Sequence, residues 1–458
     1  MFQPPAGNPP TAYERTSGMK FENFARNAQG KKDIPANTIK RIQRGFRRLG
    51  LQPEYQPFKA ADNLYWGRIW IDSIKLICEG KGTSPALCEA SALAELTERM
   101  SAGMFYPVFE EQVRFNMPAL YSQNTRRFLN FEWMKGYVNA HQDELDHPLR
   151  IEDLVVNETH LTNEDINSMK DSEMCRHWVD GFSLMKQENI KVPINFVNYI
   201  HGSNGMAAGN VLEEAMIQAT CEIFERYVQI RVIKPEKTMP TIDRDSIKNP
   251  FIQELIQFYE KHNVSVLIKD LSFNGLLPVI GVLYINHNLQ PDRLEHKLLN
   301  PGASFNLTEG LTRCFTEGMQ GRTTFKKPRP NFDKAVVHKS SDDDYYMLMR
   351  CGVSLRDISF LENGTTVPFK EKKYWDIFDE IDAIKTICKH LNTDLIILDH
   401  THPILDFPVV RIVVPGVSDF LPFLKKDVLL NEKSKPSTAH RGSEFINVMN
   451  SFFSSAEK

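Results

Sequence analysis

The chain has no run of about 18 apolar residues, the minimum for a helix to cross a bilayer, so no membrane span is expected. Its seven cysteines (78, 88, 175, 221, 314, 351 and 388) are scattered, odd in number and never spaced CxxC. That excludes a disulfide frame and a thiolate zinc site, and it suits reduced thiols in a cytoplasmic protein. The opening Met-Phe-Gln-Pro-Pro-Ala-Gly-Asn-Pro-Pro lacks the basic-then-apolar plan of a signal peptide. The net charge of −3 and the absence of interleaved basic and aromatic residues leave no signal for direct nucleic-acid binding. No GxSxG is present, and no single Cys or Ser stands out as a nucleophile. Gly80-Lys81 precedes a helix but is no P-loop, because Gly82 follows the lysine and the upstream glycine is missing.

The 458 residues, 41% of them hydrophobic, suffice for one large or two ordinary domains with a sizeable core. The most informative stretch is Ser203-Asn-Gly-Met-Ala-Ala-Gly-Asn210, followed by a helix to about Ile230. On that helix Glu214, Gln218, Glu222 and Glu225 fall within an arc of roughly 80° at ~100° per residue. The rest of its circumference is mostly apolar, which predicts burial on more than one side. Carboxylates in such a place need positive partners: a metal ion, arginines, or both.

The device is repeated. Gly82, Ser91, Glu95, Glu98 and Arg99 align with Gly209, Gln218, Glu222, Glu225 and Arg226 at a constant offset of 127 residues. A weaker third copy, with Arg313, Glu317 and Gln320, lies 222 residues beyond the first. A period this long predicts duplicated α/β units converging on one site rather than a solenoid. The competing expectation is plain: Glu95–Arg99 and Glu222–Arg226 are i,i+4 pairs of the kind that decorate solvated helix faces.

Elsewhere the patterning predicts a basic amphipathic helix at about Ala36–Leu49 with a solvated basic face. It predicts strands at Leu64–Ile71, Ile74–Cys78, Val192–Ile200, Val264–Ser272, Pro278–Ile285, Asp394–Leu398 and Val409–Val414. Helices are expected at Leu307–Gln320 and Ala383–Leu391. Residues 1–20 are proline-rich, with flexibility expected, and within residues 107–175 the polar, charged stretch from Asp143 to Glu173 reads as a peripheral subregion. Strands often come in pairs before a helix, which favours a mixed α+β fold over a doubly wound parallel sheet. His400 and His402 share a face at strand spacing, with no third ligand nearby in the sequence.

Carboxylates on neighbouring helices beside glycine loops are well suited to holding Mg2+ against nucleotide phosphates. Phosphoryl transfer needs positioning and charge neutralisation but no protein nucleophile.

The segments Gly80-Lys-Gly-Thr…Ser91-Ala-Leu-Ala-Glu95-Leu-Thr-Glu98-Arg99, Ser203-Asn-Gly-Met-Ala-Ala-Gly-Asn210…Glu222-Ile-Phe-Glu225-Arg226 and Val410-Arg-Ile-Val-Val-Pro-Gly-Val-Ser-Asp419 resemble those of the YcaO family, in the family's order. The stand-alone bacterial members are the most similar. The resemblance implies a YcaO domain over residues 30–430, a flexible segment over 1–29 and a tail over 431–458. It implies ATP and Mg2+ as cofactors, with Glu95, Glu98, Glu222 and Glu225 at the metal. Lys31, Ser91, Asn210, Glu214, Arg226 and Arg313, together with Glu98 and Glu222, become nucleotide-site residues, Lys31 being chosen over its neighbour Lys32. In the family, ATP phosphorylates a backbone amide oxygen, after which a Cys, Ser or Thr side chain closes an azoline ring or sulfide gives a thioamide. The catalytic residues proper stay unassigned.

The end of this chain, Phe-Phe-Ser-Ser-Ala-Glu-Lys, differs from the proline-rich tail of azoline-forming members, and no partner domain is in view. The stand-alone group is associated with β-methylthiolation of a small-subunit ribosomal protein, assisting a radical methylthiotransferase. Two roles therefore stay open, an ATP-dependent amide-activating enzyme acting on a protein or peptide and a nucleotide-binding accessory factor. A homodimer is implied by resemblance alone.

Overall fold

The computed structural model describes residues 19–418 apart from 20, 28–29, 73–75, 103–132, 155–161, 173–174, 234–235 and 320–356. Helix α1 (Pro35–Arg48) has proline in its first turn, where no N–H is needed, and buries Ile42 and Phe46. Strands β1 (Glu54–Ala61), β2 (Leu64–Ile71) and β3 (Leu76–Gly82) make an antiparallel three-stranded sheet. Helix α2 (Pro85–Ser101) follows, its first turn capped by Ser84, whose side chain accepts the Leu87 N–H.

Next come β4 (Val138–Asn139), the short helices α3 (Ile151–Leu154) and α4 (Asn163–Lys170), and strands β5 (His177–Ser183) and β6 (Glu188–Pro193). Helix α5 (Ile194–His201), β7 (Met206–Ala208) and the long helix α6 (Leu212–Ile233) complete the middle of the chain. Then β8 (Thr241–Asp243), α7 (Pro250–Lys261), β9 (Val264–Asp270), β10 (Val279–Asn286), β11 (Lys297–Ala303) and α8 (Leu307–Met319) lead to β12 (Thr366–Pro368), α9 (Ile377–His390), β13 (Ile396–Asp399) and β14 (Val409–Val413).

A five-stranded sheet runs β11-β10-β9-β8-β12, and a six-stranded one runs β4-β5-β13-β14-β7 with β6 on β5. Among the described strand pairs only β8–β12 is parallel, so the fold is mixed α+β as the paired-strand pattern predicts. The main core lies between the two larger sheets. There α6 and α9 pack Ile223, Phe224 and Ile384 against Ile397, Val410 and Ile412 on one side and Leu283 and Leu299 on the other. Sandwiching between two sheets is why α6 is apolar over most of its circumference. A second core joins α7 and α8 to the far face of the five-stranded sheet. A third joins α1 and α2 to the three-stranded sheet.

Two sequence expectations need correction. Val192–Ile200 is not one strand: β6 ends at Pro193 and the remainder is α5. Ile194, Val197 and Ile200 recur every three residues and are buried, so the run fits a helix face, and proline marks the break. Helix α9 begins six residues before its expected start, where Asp376 accepts the N–H groups of Phe378 and Asp379. Within the N-terminal segment expected to be flexible, residues 21–27 lie against the core: Phe21 is buried, and the Ile377 N–H donates to the carbonyl of Phe24. Residues 155–161 and 173 of the expected peripheral stretch and the tail beyond 418 lie outside the described residues.

The repeats are visible as geometry. Helices α2, α6 and α8 begin at Pro85, Leu212 and Leu307, in register with the offsets of 127 and 222, and each follows a strand. A Cβ on Gly82 would lie 2.6 Å from the Cys88 N, and one on Gly209 would lie 2.5 Å from the Ala215 N, the equivalent atom. A Cβ on Gly80 would meet the Cys88 carbonyl oxygen at 2.5 Å, and one on Gly302 the equivalent Gly310 oxygen at 2.3 Å. Each helix is thus drawn onto its own strand by the same absence of a side chain. The units also interlock in a ring: α2 packs on β7, α6 on β11, and α8 on β2 and β3.

Candidate nucleotide and metal site

Two polar clusters form where these three helices meet. At the first cluster, Glu95, Glu98 and Arg99 project from α2 and Gln218, Glu222, Glu225 and Arg226 from α6. Gln218, Glu222, Glu225 and Arg226 are half-buried among buried neighbours, so the stripe does not lie on a fully solvated face. Arg99 lies 3.6 Å from Glu95 and 3.2 Å from Glu98. One guanidinium shared by two carboxylates does not balance them. Burial pushes the Glu98 carboxyl up to about 8, against the pull of Arg99 and with the repulsion of Glu222 and Glu95 added. Glu222 is also raised, first by burial and then by Glu225 and Glu95, against Arg226 and Arg99.

The second cluster surrounds the first turns of α6 and α8. Asn210 donates its amide to both Glu214 oxygens at 3.2 Å and accepts from the Thr38 hydroxyl at 2.6 Å. Lys31 Nζ stands 3.6 Å from Glu214, and the Lys32 N–H donates to the same carboxylate at 3.1 Å. The Lys32 side chain turns outward to Glu22 and the Phe24 ring. Lys31 is therefore the lysine aimed inward. Arg313 pairs with Glu309 at 2.9 Å and donates to the Ala303 carbonyl at 3.2 Å. Burial alone would raise Glu309, but Arg313, Lys31 and Arg26 hold it below the usual carboxylate range. Arg26 forms a two-pronged pair with Glu380, both bonds 2.6 Å. Arg313 also feels Glu225, which joins the two clusters.

Of the residues expected at the site, Glu95, Glu98, Glu222, Glu225 and Arg226 gather at one cluster and Lys31, Asn210, Glu214 and Arg313 at the other. Ser91 sits beside the Lys81 N–H at 3.5 Å, and the Lys81 ammonium reaches Glu317. Glu309 was missed, although it stands 95 residues beyond Glu214, the offset that also relates Gln218 to Arg313. Arg26, Thr38 and Glu380 carry no motif. Helix α1 was expected to present a solvated basic face, yet Thr38 and Arg41 brace the Asn210 loop, Arg41 donating to the Asn210 carbonyl at 2.8 Å. His402 is a structural residue: Nδ1 accepts the Ile404 N–H at 3.2 Å, and the ring meets Trp133. His400 is buried and, by burial and then the charge of Arg411, held well below its usual pKa.

Among the described residues no three carboxylates, thiols or imidazoles converge as a ready-made metal cage. Mg2+ uses one or two carboxylates and completes its shell with waters and phosphates, so it needs no such cage. The uncompensated acids of α2 and α6 fit such an ion, and Lys31 and Arg313 fit phosphate oxygens.

The family model described as YcaO cyclodehydratase, ATP- and Mg2+-binding, matches residues 79–418. The chain is 26% identical over 409 residues to the ribosomal protein S12 methylthiotransferase accessory factor YcaO of Escherichia coli K12, covering 86% of this chain and 66% of that protein. It is 26% identical over 368 residues to an uncharacterized protein of Haemophilus influenzae, covering 77% and 59%. The chain thus spans no more than about two thirds of the length of these curated relatives. Two solved structures share the fold. One is a heterocyclase in complex with substrate and cofactor (TM-score 0.64, 19% identity, 92% of this chain and 59% of that one). The other is YcaO from Methanopyrus kandleri bound with AMPPCP and Mg2+ (TM-score 0.57, 17% identity, 88% and 96%). Among the described residues no helix is long and apolar enough to cross a membrane.

Proposed function

The chain belongs to the YcaO family, and from that premise we propose that it binds ATP with Mg2+ between α2, α6 and α8 and activates a backbone amide by phosphorylating its oxygen. The observation that carries this reading is the pair of register-related acid stripes on α2 and α6, partly buried and short of positive charge, with Lys31 and Arg313 gathered beside the first turns of α6 and α8. Bound together, ATP would supply the phosphoryl group and Mg2+ the neutralisation of its charge. One or two of Glu95, Glu98, Glu222 and Glu225 would ligate the ion, and the others would face its bound waters. Lys31 and Arg313 would hold phosphate oxygens, while Thr38, Asn210 and Glu214 brace one another beside the segment that carries Lys31. Burial of the acids keeps bulk water from screening these contacts.

The Escherichia coli relative's name supports a finer reading. The amide belongs to a protein or peptide, a small-subunit ribosomal protein being the candidate. The chain works beside a methylthiotransferase in the cytoplasm. A second reading, a nucleotide-binding accessory factor with little turnover, draws on the same name.

Calorimetric titration with ATP and Mg2+ tests the site. Substituting Glu95→Gln and Glu225→Gln together should weaken binding at least about tenfold, or ~1.4 kcal/mol. Unchanged tight binding would move the site elsewhere. Binding without amide-dependent ADP release, on trial peptides, would favour the accessory role.

A further inference from the structure

Arg411 lies in the middle of β14, between β13 and β7, and is fully buried. Nη2 is anchored, donating to the Gly202 carbonyl and to Met206 Sδ, each at 2.7 Å. Gly202 caps the carboxyl end of α5, where helix carbonyls favour a cation. The other two nitrogens, Nε and Nη1, have no hydrogen-bond partner. A buried guanidinium with most of its donors idle is costly and calls for an acceptor. Both α2 and α6 pack against β14. The acid whose charge weighs most on Arg411 is Glu98, followed by Glu222, against the larger effect of burial.

We propose that Arg411 is a positioning residue of this site, its idle Nε–H donating to one carboxylate oxygen of Glu98 so that the other oxygen is presented to the metal. The inference rests on the reading of Glu98 as a residue of the Mg–nucleotide site. Its logic is that of an outer-shell donor: a ligating carboxylate fixed on one oxygen loses less freedom when it binds the ion. Glu98 also has Arg99 as an ion-pair partner, 3.2 Å away. Arg411 would take Glu98 over when the carboxylate turns toward the metal.

The test uses the full chain and a non-hydrolysable ATP analogue. In the parent, Mg2+ is titrated at fixed nucleotide, and nucleotide binding is measured again without metal. Arg411→Met should raise the Mg2+ half-saturation about 10- to 100-fold while leaving metal-free nucleotide affinity within about twofold. Arg411→Lys, which keeps the charge but cannot hold the Gly202 carbonyl and Glu98 together, should fall between. In a Glu98→Gln background the effect of Arg411→Met should vanish. A merely structural arginine would lower metal-free and metal-bound affinity alike, and that result, or an unchanged half-saturation, overturns the proposal. If both Arg411 variants fail to fold, 15N-arginine spectra decide. One slowly exchanging guanidinium Nε–H must shift when Mg2+ and analogue are added to the parent and stay still in Glu98→Gln; no such resonance overturns it. A parent chain that binds no nucleotide overturns this inference together with the function proposed above, whereas a parent that binds normally isolates the fate of Arg411.

Discussion

Replacing Gly209 with alanine should push the second unit's helix off its strand. A Cβ there would stand 2.5 Å from the Ala215 N, 3.0 Å from the Val211 carbonyl oxygen and 3.1 Å from the Ala215 Cα, all backbone atoms of the opening of α6. No flexible side chain can yield. Reaching an ordinary contact of 3.4 Å requires the first turn to move by about 0.9 Å, while the Gly209 N–H is tied to the Pro408 carbonyl at 3.0 Å. Overpacking of this kind costs about 1–3 kcal/mol. The same shift displaces Asn210 and Glu214, whose bonds to Thr38 and to each other are 2.6 and 3.2 Å. Nucleotide binding should therefore weaken at least about tenfold, beyond what the fraction unfolded explains. Denaturant unfolding gives the first quantity and calorimetry on the folded variant the second. Gly82→Ala, with its Cβ 2.6 Å from the Cys88 N, should cost similar stability. A Gly209→Ala protein with parental stability and affinity would refute the idea that close helix–strand docking sets the site.

Three further outcomes are expected. Lys31→Met should weaken nucleotide binding about tenfold or more, and Lys32→Met less than about twofold, since only Lys31 Nζ approaches Glu214 while Lys32 pairs with exposed Glu22; equal losses in calorimetry would refute the assignment. Glu98 sits near pH 8 in the fold, so between roughly pH 4.5 and 8 the folded state holds a proton the unfolded state has lost, and this residue's contribution to stability falls as pH rises through that window. A metal needs the carboxylate, so Mg2+ affinity should climb up to about pH 8, by at most about tenfold per unit, and then level off; a flat pH profile of Mg2+ titrations would contradict this. Arg26→Met, by stranding the buried Glu380, should cost about 3 kcal/mol or more in chemical unfolding, and adding Glu380→Met should recover most of it; no recovery would mean the pair does something other than balance charge.

The parts of the site legible in the sequence are those whose chemistry repeats. An acid that recurs at one offset on two helices is visible without coordinates, and so is the glycine that lets each helix sit on its strand. The third copy was harder to see because Arg313 replaces Ser91 and Gln218 at the equivalent position, and its glycine contact is made by Gly302, two residues before the position aligned with Gly82. Arg26, Thr38 and Glu380 were not legible, because each reaches the site from a segment distant in sequence and nothing local distinguishes it from a surface residue. The strand expected at Val192–Ile200 failed for a related reason. Ile194, Val197 and Ile200 keep a helical spacing, but over so short a run the period alone does not separate helix from strand, and the packing neighbours decide.

The way the three copies diverge accounts for the polarity of the crevice. Each helix would carry the same charge if the units were identical, and a ring of like acids would leave no place for phosphate. At the first position the series reads Ser91, Gln218 and Arg313, so the third helix contributes a cation where the others are neutral. At the third position the sequence reads Glu98, Glu225 and Gln320, so the third copy carries no acid there. Glu317, the acid it keeps, is taken up by Lys81 of the first unit. Between α2 and α6, then, negative charge outruns its partners, and Glu98 and Glu222 resist ionisation. Beside α8 the arginine and Lys31 outweigh Glu309 enough to hold it ionised. On the proposed reading, that gradient orients a metal–triphosphate complex: the ion is drawn to the α2–α6 end and the phosphate oxygens to the α8 end. Reversing it at a single position, with Arg313→Gln, should weaken nucleotide more than metal. A variant with the two losses equal would show that the division of charge among the copies does not set the orientation.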